Sequence, residues 1–210
     1  HLFNEAKIDE TIKKLQNQKL KIEKISTFTK KKYAPQLYDL TELQRDANKL
    51  YGFSAKETLA TMQDLYEYHK VLTYPRTDSR YLTDDIVPTL KERLEASRGG
   101  DYDNIIDKIL KSPIRKQSHF VNNSKVSDHH AIIPTEQPAM LGSFTDRELK
   151  IYELVLKRFL AVLLPPYLYE QTTINAIVNQ EIFTVSCKIE TQIGWKDVYV
   201  HEEVSEDQTL

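Results

Sequence analysis

The period of the hydrophobic positions changes along the chain, and the changes mark three zones. Ile8, Ile12 and Leu15 recur at spacings of four and three, which predicts a short amphipathic helix. From Lys19 the period falls to two. Leu20 and Ile22 alternate with Lys19, Lys21 and Glu23, and Ile25, Thr27, Phe28 and Thr29 are strand formers. Lys30-Lys31-Lys32 closes that strand and reads as a solvated strand end rather than a phosphate contact. From about 37 to 164 the spacing is helical. Thr41 opens a helix that Gly52 stops. Ser54-Ala55-Lys56-Glu57 is a capping box, and its helix places Leu59, Met62, Leu65, Tyr66 and His69 on one face. Thr83 precedes Asp84-Asp85, acids suited to a first helical turn, and Thr145-Asp146-Arg147-Glu148 opens a helix that runs to Pro165-Pro166. Between about 97 and 142, Gly99-Gly100, Pro113, Pro134 and Pro138 break the regularity into loops, where sites tend to sit.

Period two then returns. Ile174, Ala176 and Val178 alternate with polar residues; beyond Asn179-Gln180, Phe183, Val185, Cys187 and Ile189 alternate with Ile182, Thr184, Ser186 and Lys188. This predicts a hairpin with one buried face, with Cys187 as a structural thiol on that face. Trp195 to Val200 reads as a further strand, and the acidic tail after His201 as a frayed end. The fold class is therefore α+β. A mostly helical domain, 37–164, is inserted into a smaller β-rich domain made of 1–36 and 165–210.

Composition narrows the classes. Of 210 residues, 40% are hydrophobic and 29% charged, enough to bury a core and remain hydrated. The net charge of −2 excludes a globally basic nucleic-acid binder but not a local basic groove. One cysteine excludes a disulfide framework and a Cys-based zinc site, and fits a reducing compartment such as the cytoplasm. No apolar run approaches the ~18–20 residues that span a bilayer, so no membrane partner is expected. The chain starts at His1 without a signal-peptide pattern and reads as a piece of something longer.

Two segments of the helical zone carry candidate chemistry. In Val71-Leu72-Thr73-Tyr74-Pro75-Arg76-Thr77-Asp78-Ser79, Pro75 disfavours helix at Tyr74, and in an extended chain Tyr74 and Arg76 project together. A guanidinium beside a phenol lowers the phenol's pKa and can grip a phosphate through two parallel hydrogen bonds. The pair suits covalent attack on a phosphodiester. The same residues also make an ordinary turn, with Pro setting the bend and Asp-Ser supplying turn chemistry. In Lys125-Val126-Ser127-Asp128-His129-His130-Ala131-Ile132-Ile133-Pro134-Thr135, the histidines suit a metal, a phosphate contact or a capped loop. Adjacent histidines on an extended chain point to opposite sides, which disfavours their sharing one ion.

Taken in order, Thr73-Tyr-Pro-Arg-Thr-Asp-Ser79 and His129-His-Ala-Ile-Ile-Pro-Thr135 resemble the motifs of type IA DNA topoisomerases, in the bacterial topoisomerase III branch. Leu40-Thr-Glu-Leu-Gln44 and Tyr51-Gly-Phe-Ser-Ala55 resemble the helix pair before that family's active tyrosine. Gly194-Trp195 resembles the Gly-Trp of a strand in its gate domain. The resemblance spans about Tyr38 to Trp195.

The resemblance implies single-strand DNA cleavage and religation with strand passage. The tyrosine matching Tyr74 attacks a backbone phosphate, forming a 5′-phosphotyrosine and leaving a 3′-OH. Arg76 would stabilise the scissile phosphate, and His129 would contact the backbone near the break. Thr77, Asp78 and Ser79 would order this shell; Gln44, Arg115, Lys125, His130 and Thr135 would line the strand groove. The family's Mg²⁺ site, a lysine and a glutamate come from a toprim domain that, with the base domain, is not recognisable here. This chain is therefore expected to hold no metal of its own and to be inactive alone, its partners being single-stranded DNA and those domains, its location the cytoplasmic nucleoid. Asp128 stands where members often carry a small residue. Two other classes stay open: a non-catalytic single-stranded DNA-binding module, which would survive loss of the Tyr74 hydroxyl, and an interaction domain in which Tyr74 is a packed turn residue.

Overall fold

The computed structural model of the chain describes Ile8 and residues 12–179 and 181–200. It divides into two compact units. One takes the described residues up to Lys32 together with Leu168–Gln192; the other takes Tyr33–Tyr167 together with the described residues from Ile193 onward. Helices and an antiparallel hairpin make this an α+β protein.

The first unit is a three-stranded sheet of order β1-β2-β3, with β1 at Lys21–Lys32, β2 at Tyr167–Val178 and β3 at Glu181–Gln192. The lysine run is the end of β1, as the pattern predicts. Asn179 begins the β2–β3 turn at φ 46°, a left-handed conformation that asparagine tolerates. The ladder pairs Ile174 with Val185 and Ala176 with Phe183, so the alternation does place the apolar residues on one face. That face is not buried. Ala176 and Val178 are covered, but every described residue of β3 before Gln192 is exposed. Cys187 is exposed too, so the expectation of a structural thiol on a buried face is corrected. Alternation selects a face; it takes a second layer to bury it. Residues 12–15 are helical, while the rest of the predicted N-terminal helix, apart from Ile8, and the tail after residue 200 lie outside the described residues.

The second unit is helical. Its helices are α1 (Leu40–Tyr51), α2 (Ala55–Gln63), α3 (Leu90–Ala96), α4 (Asp103–Leu110) and α5 (Asp146–Leu163). Asp39, not Thr41, caps α1: its carboxylate accepts the Glu42 N–H at 2.7 Å. Gly52 ends α1 at φ 71°, where a Cβ would be strained. Both predicted capping boxes form, Ser54–Glu57 on α2 and Thr145–Glu148 on α5. α5 is the central element, with Ile151, Val155, Phe159 and Leu160 at zero exposure, and it packs against α2, α1 and α4. α2 does not continue to His69 as the periodicity predicts. It gives way at Asp64–Tyr68 to a π-helical turn, closed by the bond from His69 N–H to the Asp64 carbonyl at 3.0 Å.

The strand expected at Trp195–Val200 is also corrected. Gly194–Tyr199 is a 3₁₀ helix packed on α5, with Val198 buried and Trp195 edge-on to Tyr199. Trp195, Val198 and Tyr199 recur at helical spacing, and short apolar runs do not separate helix from strand. Gly194 is required there: it sits at φ 53°, and a Cβ would meet the Pro166 carbonyl oxygen at 2.3 Å.

Candidate functional site

The Tyr74 segment leaves the π-helical turn through Lys70, which adopts φ 59°, uncommon for a residue with a Cβ. The chain then runs extended against the second candidate segment. Thr73 N–H donates to the Ile133 carbonyl and Thr135 N–H to the Val71 carbonyl, each at 3.0 Å. Leu72 therefore faces Pro134 as a non-hydrogen-bonded antiparallel pair, a position where proline lacks nothing. Ile132 N–H bonds the Tyr38 carbonyl at 2.9 Å, and Ala131 N–H the Tyr81 carbonyl at 3.0 Å. Ala131, Ile132 and Ile133 are buried, so the apolar half of the motif anchors the polar half at the surface.

That surface brings most of the candidates together. The Tyr74 and His129 rings lie 4.2 Å apart between centroids, inclined at 36°. Thr77 Oγ1 donates to the His129 carbonyl at 2.8 Å, and the Thr77 carbonyl accepts Leu40 N–H at 3.1 Å. Ser79 is buried: its hydroxyl donates to the Lys125 carbonyl at 2.9 Å and its N–H bonds Thr77 Oγ1 at 3.1 Å. Thr77 and Ser79 are thus braces that lock the two segments in register. Thr135 Oγ1 donates to the Lys70 carbonyl at 2.6 Å. The Lys125 ammonium lies over the Tyr81 ring, 4.8 Å from its centroid.

Tyr74 and Arg76 do not share one face as simple alternation predicts. The chain bends at Pro75, and the two side chains line different grooves. One groove, about 650 Å³, holds Tyr74 with Tyr66, Lys70, Thr73 and Thr135. The other, about 480 Å³, holds Arg76 with Thr41, Asp78, Ser127 and Asp128. His129 lines both. Arg76 and Asp78 are exposed, and among the described residues neither is engaged in a hydrogen bond or ion pair. A guanidinium held at a groove wall with its donors open is suited to an anion.

His130 turns inward from its neighbour. Its Nδ1–H donates to the Ala131 carbonyl at 2.7 Å, and burial holds its pKa below the ordinary histidine value. Gln44 and Arg115 lie apart from this cluster. The Gln44 amide bridges to the Ala55 carbonyl at 3.0 Å, tying α1 to α2. Arg115 is exposed on a separate groove beside Pro113, Pro165 and Pro166.

Three residues beyond the candidate set also shape the site. Arg80 reaches Asp39 at 2.7 Å and Glu42 at 3.2 Å, and the Asp39 carboxylate raises its pKa. This locks the end of the tyrosine segment onto the α1 cap. Arg93 is buried in α3; it donates to Thr89 Oγ1 at 2.8 Å and the Pro134 carbonyl at 2.9 Å, and pairs with Glu136 at 2.7 Å. It clamps the histidine segment from beneath. Tyr66 stands edge-on to Tyr74. Nothing local in the sequence marks Arg80 or Arg93 for the site, because the partners that tie them to it, Asp39 and Glu42 for one and Pro134 and Glu136 for the other, are distant in the chain. Among the described residues, no three His, Cys, Asp or Glu side chains gather to hold a metal ion.

Comparisons with known proteins agree with the motif reading. The profile of the family described as DNA topoisomerase matches residues 1–210. DNA topoisomerase 3 of Bacillus cereus is 54% identical over 207 residues, which is 99% of this chain and 28% of that protein. DNA topoisomerase 3 of Bacillus subtilis is 50% identical over 206 residues, 98% of this chain and 28% of that protein. Among solved structures, full-length topoisomerase I of Thermotoga maritima aligns at a TM-score of 0.66 and 24% identity, over 95% of this chain and 32% of that one. At that identity the likeness is one of fold. The chain spans about 28% of the length of the curated relatives it matches.

Proposed function

The chain belongs to the type IA DNA topoisomerase family, and from that membership we propose that it supplies the nucleophile and the strand-binding wall of a longer enzyme. The observation that carries the reading is the Tyr74–His129 ring contact, at the rim of a groove that His129 shares with the unpaired Arg76.

In this reading Tyr74 Oη attacks a backbone phosphorus of single-stranded DNA. The phenol gives up its proton as an Oη–P bond forms, the P–O3′ bond breaks, and the departing 3′-oxygen takes up a proton, so that none is gained or lost overall. Attack by the same 3′-hydroxyl reverses the step, and the phosphodiester energy is kept in the phosphotyrosine. The Arg76 guanidinium neutralises charge growing on the phosphate oxygens, and His129 holds the backbone beside it. Thr77 and Ser79 act through the backbone, by keeping the two segments in register. Lys125 and Thr135 border the strand path, His130 supports it from the inner side, and Asp78 flanks Arg76. Gln44 and Arg115 take no part at the cleavage point, and a DNA role for either lies further along the strand. The sheet unit and residues 33–167 correspond to the gate domain and the tyrosine-bearing domain. Mg²⁺, a toprim domain and a base domain belong to the rest of the enzyme, so the chain alone does not cleave. The enzyme works on DNA in the cytoplasmic nucleoid; among the described residues no helix is long and apolar enough to cross a membrane.

The test is Tyr74→Phe in the full-length enzyme, with covalent complex formation on a labelled single-stranded oligonucleotide as readout. The expected result is a fall of at least about 10³-fold in covalent complex with oligonucleotide affinity retained. Undiminished cleavage removes Tyr74 as the nucleophile. Unchanged function without cleavage in the parent points to a binding module instead.

A further inference from the structure

The Tyr74 ring meets two other rings, and only one of them, His129, belongs to a recognised motif. The other is Tyr66, whose ring meets Tyr74 at 5.5 Å between centroids and an interplanar angle of 82°. Edge-to-face pairs of this kind are attractive beyond their buried area. Tyr66 is 37% exposed at the groove rim and, among the described residues, its hydroxyl makes no hydrogen bond. The ring contact is its one specific interaction there.

The backbone is shaped to make this contact. Tyr66 lies in the π-helical turn Asp64–Tyr68 that interrupts the helical run after α2. A π turn takes in one residue more than an α turn, which rotates the downstream backbone by about 100° relative to an unbroken helix. Leu65 keeps its place in the core at zero exposure while its neighbour Tyr66 is presented to the groove. The irregularity stands directly before the segment that carries Tyr74, and such turns cluster at functional sites.

We propose that Tyr66 is a positioning residue for the Tyr74 nucleophile. Together with the His129 contact, the Tyr66 ring restricts rotation of the Tyr74 side chain, so that the phenol is offered to the phosphate in one orientation. The proposal rests on the nucleophile reading above. It concerns the Tyr66 ring and not its hydroxyl. A freed Tyr74 would spread over further rotamers, and dilution of the attacking conformer together with misalignment slows cleavage by about tenfold.

The experiment is single-turnover cleavage of a single-stranded oligonucleotide by the full-length enzyme, with affinity for the same oligonucleotide measured separately by anisotropy. Tyr66→Leu keeps bulk and removes the aromatic edge; Tyr66→Met replaces it should the leucine variant not fold. The expected result is a cleavage rate about tenfold lower with affinity within about twofold of wild type, and recovery of the rate in Tyr66→Phe. On the chain itself, the Tyr74 ring resonances should shift in Tyr66→Leu and stay in place in Tyr66→Phe. The proposal is overturned by a Tyr66→Leu rate within about twofold of wild type. It is overturned equally by an affinity loss that accounts for the whole change, or by Tyr66→Phe as slow as Tyr66→Leu. Tyr74→Phe in the same assay separates this from the parent reading: cleavage surviving there sinks the nucleophile assignment, whatever Tyr66 does.

Discussion

In the helical unit, apolar residues at helical spacing go fully under cover: Leu43 and Ala47 on α1, Met62 on α2, Val155 and Phe159 on α5. In the sheet unit, residues that alternate just as regularly stay in the open. Val185 is 60% and Ile189 59% exposed, on the face that β2 and β3 share with Ile174 and Ala176. The two units obey one patterning rule with different outcomes. A helix buries its stripe when other helices of the same unit surround it, as α1, α2 and α4 surround α5. In the sheet unit the described residues cover Ala176 and Val178 but leave the apolar positions of β3 without a second layer. Amphipathicity therefore says which side is meant to be covered, while burial depends on what else is present.

The largest expected effect would break this contrast if it failed. Phe159→Ala should destabilise the helical unit by about 3–5 kcal/mol, through lost transfer energy and the cavity left behind. Ile189→Ala should fall within about 0.5 kcal/mol of wild type, as exposed substitutions do. Urea unfolding followed by Trp195 fluorescence and by far-ultraviolet circular dichroism checks both, and comparable losses would mean that the sheet face is buried in solution.

Next in size is a test of where the boundary falls. Gly194→Ala should cost about 2–3 kcal/mol, because the new methyl overlaps the carbonyls of Pro165 and Pro166. Gly52→Ala, with open space around it and only the positive φ to resist it, should cost about 1–2 kcal/mol. Equal, small losses in thermal melts would detach residues 193–200 from the helical unit and return them to the strand reading.

The smallest effect is a dependence on pH carried by the buried side of the histidine segment. Burial lowers the His130 pKa in the folded state, so the unfolded chain binds more protons across the window between the lowered and the ordinary value. Stability is complete above the ordinary histidine range and declines as pH falls through it. The urea midpoint of the helical unit should drop between about pH 8 and about pH 5.5, and His130→Gln should flatten that slope. An unchanged slope in the variant would place the proton uptake elsewhere.

Legibility tracks the range of the interaction that decides each feature. The capping boxes at Ser54 and Thr145 and the Gly52 stop involve residues within a few positions of one another, and they form as the sequence predicts. Asp39 takes the cap from Thr41 through a bond three positions long, to Glu42 N–H, and the same carboxylate also receives Arg80, a partner 41 positions away that no local pattern marks. The π-helical turn that presents Tyr66 leaves no mark in the apolar periodicity. The bend at Pro75 sends Tyr74 and Arg76 into separate grooves, where alternation puts them side by side.

What the sequence determined by itself is the inventory: an α+β chain, the period of each zone, and the order of the Tyr74 and His129 motifs, because these rest on residue type and short-range spacing. What only the tertiary structure decided is juxtaposition and cover. It set the His129 ring against Tyr74, Arg93 on the Pro134 carbonyl and the Tyr66 ring at right angles to Tyr74, and left the apolar positions of β3 open. The His129 and Arg93 contacts join segments at least 41 positions apart, and the Tyr66 contact depends on the π-helical turn that holds it, so the free energy of these contacts is not written in the pattern around either partner.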